Sequence, residues 1–197
     1  MEPCLMSDLL REIPPDLLPA SWLGDNAAPL EVDLGCHKGL FLVEMAGQFP
    51  QRNFLGIELQ TERVEGARRK IRARALTNAA VIKAEGLAAL SALPDASVTF
   101  VHVLFPDPWP KRRHNCRRLV QAAFLEVACR ILKPEGFLRL VTDDEDYALA
   151  MKEVVAKCSL LTASEPNDRE YPATEFQKKF LTDQRPIHSL LLTRSGS

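Results

Sequence analysis

Nowhere in the 197 residues does an apolar run approach the roughly 20 positions a helix needs to cross a bilayer, so no membrane role is expected. The amino terminus, Met1-Glu2-Pro3 with Asp8 close behind, lacks the basic start and apolar stretch of a secretion signal. Cysteine is present but unpatterned. Cys4, Cys36, Cys116, Cys129 and Cys158 make no C-x-x-C pair and no zinc-like spacing, which reads as free thiols in a reducing cytoplasm. The histidines His37, His102, His114 and His188 stand apart from one another, so no metal site is expected. Internal repeats and low-complexity tracts are missing too. Charge of one sign is also lacking, with 25 basic against 26 acidic residues and a net charge of -1.

The basic residues are nonetheless uneven. Arg63–Arg74 holds six and Lys111–Arg118 five, so two short windows carry 11 of the 25. Each alone fits a solvated helix face or loop. Together they suggest one local surface for phosphates. A hydrophobic fraction of 46% and a length of 197 residues fit a single core.

Residues 1–29 hold five of the 14 prolines and read as an irregular lead-in with a short helix packing Trp22. One domain is expected over residues 30–197. Strand-like runs at Leu30–Leu34, Asn53–Leu59, Ala79–Lys83, Val98–Phe105 and Phe137–Thr142 alternate with helical patterns. The helices are expected at Lys38–Gln48, from Thr61 with Val64, Ala67, Ile71 and Ala75 as an apolar stripe, at Gly86–Ser91, at Leu119–Leu132 and at Glu145–Cys158. Lys133-Pro134-Glu135-Gly136 reads as a helix stop. Two last strands are expected near Leu160 and Ser189–Thr193 with a short helix between. The alternation predicts a doubly wound α/β fold, a mainly parallel seven-stranded sheet with helices on both faces. Ligands of such sheets bind at the carboxyl ends of the strands, where Gly35, Glu58, Glu85, Phe105–Trp109 and Asp143 all fall.

The first strand leaves through Asp33-Leu34-Gly35-Cys36-His37-Lys38-Gly39, which is not the G-x-G-x-x-G of a dinucleotide site. A carboxylate there is awkward beside pyrophosphate and suits a cationic ligand, the alternative being a helix cap. Glu58 is placed to accept from both hydroxyls of a ribose, or to face solvent. Glu85 ends the third strand, where an adenine amino group could be read. The most specific stretch is Phe105-Pro106-Asp107-Pro108-Trp109-Pro110-Lys111-Arg112-Arg113-His114. Residues before proline are pushed toward extended backbone, so Phe105, Asp107 and Trp109 are expected to be restrained in turn. Such a stiff loop offers a carboxylate to orient a base, a tryptophan to stack on it and cations for phosphate.

On these residues the chain resembles the bacterial tRNA (guanine-N7-)-methyltransferase family. The resemblance runs from about Trp22 to Arg194 and includes Phe105–His114, the strand-end acids Asp33, Glu58 and Glu85, Thr142-Asp143, Tyr147 and Thr174-Glu175-Phe176-Gln177. It implies a class I methyltransferase fold with an antiparallel last strand. It implies S-adenosylmethionine as cofactor, held by Asp33, Glu58, Glu85 and Asp107, with Asp107 also at the reacting centre. It implies tRNA as partner, its variable-loop guanine bound by Lys111, Asp143, Thr174, Glu175, Phe176 and Gln177. The chain departs from the family pattern at His37, which replaces the middle glycine of the loop, and at Glu85, where aspartate is usual. Cys116 replaces a lysine, Gln177 replaces a glutamate, and the N-terminal extension is short. Either His37 carries backbone strain or the loop has shifted, and the intact acids around it favour a shift. Two other readings stay open: a non-catalytic RNA-binding relative, and a nicotinamide-dependent oxidoreductase.

Overall fold

The computed structural model describes residues 19–22, 27–164, 171–172, 174 and 182–195. Glu175, Phe176, Gln177, the start of the lead-in and the expected helix between the last strands lie outside them.

Five residues of β1 (Leu30–Leu34) and six of β2 (Asn53–Glu58) are buried without alternation, the pattern of central strands covered on both faces. β3 (Ala79–Lys83), β4 (Val98–Leu104), β5 (Leu132–Thr142), β6 (Leu161–Ser164) and β7 (His188–Arg194) complete a sheet of order β3-β2-β1-β4-β5-β7-β6. The first five strands of that order pair in parallel, whereas β7 runs antiparallel to both β5 and β6. The doubly wound sheet and its antiparallel last strand are as expected.

Helices α1 (Leu40–Gln48) and α2 (Thr61–Ala73) cover one face, packing Leu42, Met45, Val64, Ala67 and Ile71 on Phe54 and Val81. Helices α3 (Gly86–Ser91), α4 (Ala122–Ile131) and α5 (Glu145–Val155) cover the other, where Leu90, Phe124, Leu125 and Met151 meet Val32, Val101, Leu138 and Leu140. Trp22, in the short 3-10 turn Ala20–Trp22, joins this second core.

Three details differ from expectation. Ala75 is not on the α2 stripe: the helix ends at Ala73, and Ala75 is exposed with φ 50°. Helix α4 starts at Ala122 rather than Leu119, because the Val120 N–H is taken by the Tyr147 hydroxyl at 3.0 Å. The Lys133–Gly136 stop is the entry to β5, not a separate loop. Val98 pairs with Leu132 but Phe100 with Phe137, so the extra residues bulge out, with Glu135 at φ 62°.

Strand order reverses between β1 and β4, and the crevice of such a sheet opens at that point.

Candidate active site

A cleft opens there, lined by Asp33, Gly35, Cys36, His37, Leu40, Phe41, Leu104 and Thr174. Its free volume is about 40 Å³, well below the roughly 300–1,000 Å³ of sites that enclose a ligand.

The loop between β1 and α1 is built from left-handed residues, with Gly35 at φ 79°, His37 at 51° and Gly39 at 68°. A side chain at Gly39 would meet the Ala67 Cβ at 2.6 Å, so glycine lets α1 close on α2. His37 carries a side chain on the same left-handed backbone. The loop turns through the left-handed region at His37, a backbone that histidine accepts. Histidine is among the residues enriched in that region. Gly35 and Cys36 N–H both donate to Ile57 O, at 2.8 and 3.1 Å, which ties the loop to β2.

Asp33 is 5% exposed and its carboxylate, among the described residues, makes no hydrogen bond. Burial, and after it the charge of Glu58, pushes its carboxyl up to about 7. A buried carboxylate facing a cleft without a partner is stabilised by a cation. The ammonium and sulfonium of S-adenosylmethionine meet that requirement, so the residues present fit this cofactor.

Glu58 is held by backbone donors. One carboxylate oxygen accepts from the N–H of Leu59 and of Gln60, each at 2.9 Å, and the other accepts from the His37 N–H at 3.1 Å. Arg63 lies 3.7 Å from that second oxygen. A carboxylate offers about four acceptor sites, and backbone donors fill three. Acceptor capacity on the carboxylate is left beyond these three donors. Glu85 caps α3, accepting from Leu87 and Ala88 N–H at 3.1 and 2.8 Å, with acceptor sites to spare. Neither Glu58 nor Glu85 lines the cleft itself.

Asp107 lies three residues beyond the cleft-lining Leu104. It is exposed, and no hydrogen bond or ion pair reaches it from the described residues. Its loop is pinned at both ends. Phe105 N–H donates to Val141 O at 2.7 Å, and the buried Arg118 donates to Pro108 O at 2.8 Å while stacking on the Tyr147 ring. Phe105 and Trp109 do not take the extended backbone expected before proline, having φ 54° and 45°. The two anchors hold this strained turn, which costs about 1–3 kcal/mol per residue. The Trp109 ring is already in contact, with Arg117 over it at 5.0 Å and His114 edge-on at 5.9 Å. A base must share or displace the Arg117 guanidinium.

Lys111, Arg113 and Arg117 are exposed around the 3-10 turn Arg112–Arg117, whereas Arg118 is committed to the interior. The other basic window, Arg63–Arg74, is spread along helix α2. Helix α2 leaves the carboxyl end of β2 and runs back about 20 Å at 1.5 Å per residue, carrying Arg72 and Arg74 toward the opposite end of the sheet. Arg68 is bound to Val81 O and Lys70 to Lys38 O. Arg63, at the start of the same window, stays at the carboxyl end of β2, 3.7 Å from Glu58.

Asp143 follows β5 and pairs with Arg185 at 2.6 Å. Thr174 is buried in the cleft beside Asp33, so the structure brings together two residues that are 141 positions apart in sequence. His102 is not isolated: its Nε2 lies 3.1 Å from Glu31. No described group of three His, Cys, Asp or Glu residues is arranged to hold a metal, and no described helix is long and apolar enough to cross a membrane.

A family model described as "Putative methyltransferase" matches residues 27–190. The tRNA (guanine-N(7)-)-methyltransferase of Nitrosomonas eutropha is 34% identical over 176 residues, covering 87% of this chain and 79% of that protein. The protein of the same name from Treponema pallidum (strain Nichols) is 35% identical over 170 residues, covering 85% of this chain and 68% of its own. Among solved structures, a SAM dependent methyltransferase from Aquifex aeolicus superposes with TM-score 0.56 at 17% identity, covering 96% of this chain and 89% of its own. An rRNA methylase from Streptococcus thermophilus gives 0.56 at 16% identity, covering 100% and 98%. These two speak for the fold alone. With the family model spanning the sheet and relatives alike over most of its length, the chain belongs to the tRNA (guanine-N(7)-)-methyltransferase family.

Proposed function

We propose that this protein transfers a methyl group from S-adenosylmethionine to N7 of a guanine in tRNA, in the variable loop, and that it works in the cytoplasm. The observation that carries the reading is Asp33, a buried carboxylate without a hydrogen bond among the described residues, facing the cleft at the switch point of the sheet. The sulfonium of the cofactor supplies an already activated methyl group. Asp33 holds the cationic methionine end. Glu58 fixes the His37 turn through its backbone N–H and keeps one acceptor site for a ribose hydroxyl, and Glu85 keeps acceptor sites for an adenine amino group.

Guanine N7 has a lone pair and no proton, so attack on the methyl group needs no general base. The work left to the chain is alignment, with reacting atoms about 3–3.5 Å apart, and stabilisation of the purine ring as it becomes cationic. Asp107 and Asp143 supply negative charge for that. Asp143 must first exchange Arg185 for the base. Thr174, with Glu175, Phe176 and Gln177 after it, binds the guanosine, and Lys111 with Arg113 and Arg117 holds backbone phosphate. The nicotinamide alternative is disfavoured, because a buried carboxylate at Asp33 repels pyrophosphate and Glu58 is largely occupied.

Incubation with unmodified tRNA and labelled cofactor, followed by mapping of the methylated base, tests the reading. Label at a variable-loop guanine N7 is expected. Cofactor binding with no label in any tRNA would favour the non-catalytic relative.

A further inference from the structure

Beneath Asp33 the sheet carries a group of buried polar side chains that the reaction above does not use. Glu31 lies two residues before Asp33 on the same face of β1, His102 is the register partner of Asp33 on β4, and Arg139 is the partner of His102 on β5. All three are at most 5% exposed. The Glu31 carboxylate accepts from Arg52 at 2.7 Å and meets His102 Nε2 at 3.1 Å. Burial holds the His102 ring neutral, below the usual histidine range, while His102 and Arg52 overcome burial to hold Glu31 ionised. His102 therefore donates through Nε2 to a carboxylate.

On this floor sits one aromatic ring from far along the chain. Tyr171 meets His102 edge-on at 5.3 Å, tilts against Phe100 at 5.3 Å, and has the Arg139 guanidinium over it at 5.3 Å. Phe100 is itself stacked on His102 at 4.2 Å. Three residues on, Thr174 is buried in the cleft beside Asp33. Phe41 touches both places, lining the cleft and meeting His102 edge-on at 5.1 Å.

Buried ion pairs are a poor source of stability, since apolar side chains of similar volume serve as well or better. What they supply is one preferred orientation. A flat apolar floor lets a ring slide, whereas a guanidinium on one side and an imidazole on another fix it. His102 Nδ1 has no partner among the described residues, a further cost that stability alone does not justify. We propose that Glu31, His102 and Arg139 form a socket that seats Tyr171, and that Tyr171 thereby sets Thr174 over the cleft. Tyr171 is a positioning residue that acts through Thr174. This rests on the proposed function, in which Thr174 binds the guanosine.

The test is a double-mutant cycle on methyl transfer to tRNA by the full chain, using Tyr171→Ala, Thr174→Ala and the pair. Tyr171→Ala should lower kcat at saturating substrates tenfold or more, yet slow the Thr174→Ala variant less than threefold. Tyr171→Phe should stay within threefold of the parent chain, and thermal midpoints should confirm that each variant is folded. If Tyr171→Ala does not fold, Tyr171→Leu takes its place, filling the socket without the aromatic contacts. Equal factors in the two backgrounds, or no loss in the parent, would overturn the socket. A parent chain that methylates no tRNA would instead overturn the function on which the socket rests.

Discussion

The backbone N–H of His37 donates to the carboxylate of Glu58 at 3.1 Å, joining the turn after β1 to the end of β2. That bond belongs to the main chain of residue 37, not to its imidazole. A glycine there keeps it, and also removes the steric cost of a left-handed φ of 51°. His37→Gly should therefore alter stability by no more than about 1 kcal/mol, relief of strain being offset by the greater freedom of glycine when unfolded. Affinity for S-adenosylmethionine should change less than tenfold, or roughly 1.4 kcal/mol. Glu58→Gln turns an amide NH₂ toward backbone donors and leaves one of them unmet, at about 1–3 kcal/mol. Its affinity should fall tenfold or more. Calorimetric titration of both variants checks the pair, and a hundredfold gain from His37→Gly would mean that histidine impairs the pocket.

Asp33 makes stability and cofactor binding respond to pH in opposite directions. Burial pushes its carboxyl up to about 7 in the folded chain, against an ordinary value of 3.8. Between those values the folded chain holds a proton that the unfolded chain has released, so stability of the cofactor-free protein declines as pH rises and levels off above about 7. Binding of a cation by ionised Asp33 strengthens over the upper part of the same range. Asp33→Asn should flatten both curves, leave the free protein more stable than the parent above neutrality, and weaken cofactor binding there. Chemical denaturation and cofactor titrations across about pH 5 to 8 decide it. Parallel slopes in parent and variant would show that Asp33 is ionised throughout.

Much of this site was legible because strand ends are where open parallel sheets place ligands, and Asp33, Glu58, Glu85 and Asp107 all stand there. The acids could be located, but not what occupied them. Nothing in the spacing says that three backbone N–H groups fill Glu58, or that Arg185 neutralises Asp143 from 42 positions away. The basic windows misled because composition does not distinguish Arg117, exposed, from Arg118, which turns inward onto Tyr147. Helix direction, not sequence, sends Arg72 and Arg74 away from the proline loop. The Glu31–His102 contact was invisible because it joins β1 to β4 across 71 residues. Its one advance signal was a charged or polar residue, Glu31 and His102, inside each of two largely apolar strands.

Those differences among the arginines separate the proposed RNA surface from the scaffold. Neutralising Lys111, Arg113 and Arg117 together should weaken tRNA binding and flatten its salt dependence, each lost duplex phosphate contact changing the log-log slope by about 0.9. Neutralising Arg72 and Arg74 should leave the slope unaltered. Arg118→Ala should instead lower the thermal midpoint, because it removes the donor to Pro108 O and the cation over Tyr147. Binding isotherms at several salt concentrations check the first two, and an unchanged slope in the triple variant would remove the 3-10 turn from the interface.

Asp107 offers the cleanest separation of chemistry from folding. The proline loop is held by Phe105 N–H on Val141 O and by Arg118 on Pro108 O, and neither contact involves the Asp107 side chain. Asp107→Ala should thus leave stability within about 0.5 kcal/mol, as for other surface substitutions. Loss of the charge facing a purine that turns cationic should lower kcat by about 10²–10³. Because N7 has no proton to give up, the role proposed for Asp107 is that of a fixed charge and not of a base. Asp107→Asn, which keeps an acceptor oxygen but not the charge, should then fall between the parent and Asp107→Ala. Single-turnover rates with saturating cofactor and tRNA provide the measurement. Near-normal turnover by folded Asp107→Ala would remove this carboxylate from the reacting centre, and full activity in Asp107→Asn would show that its hydrogen bond, not its charge, is what the reaction uses.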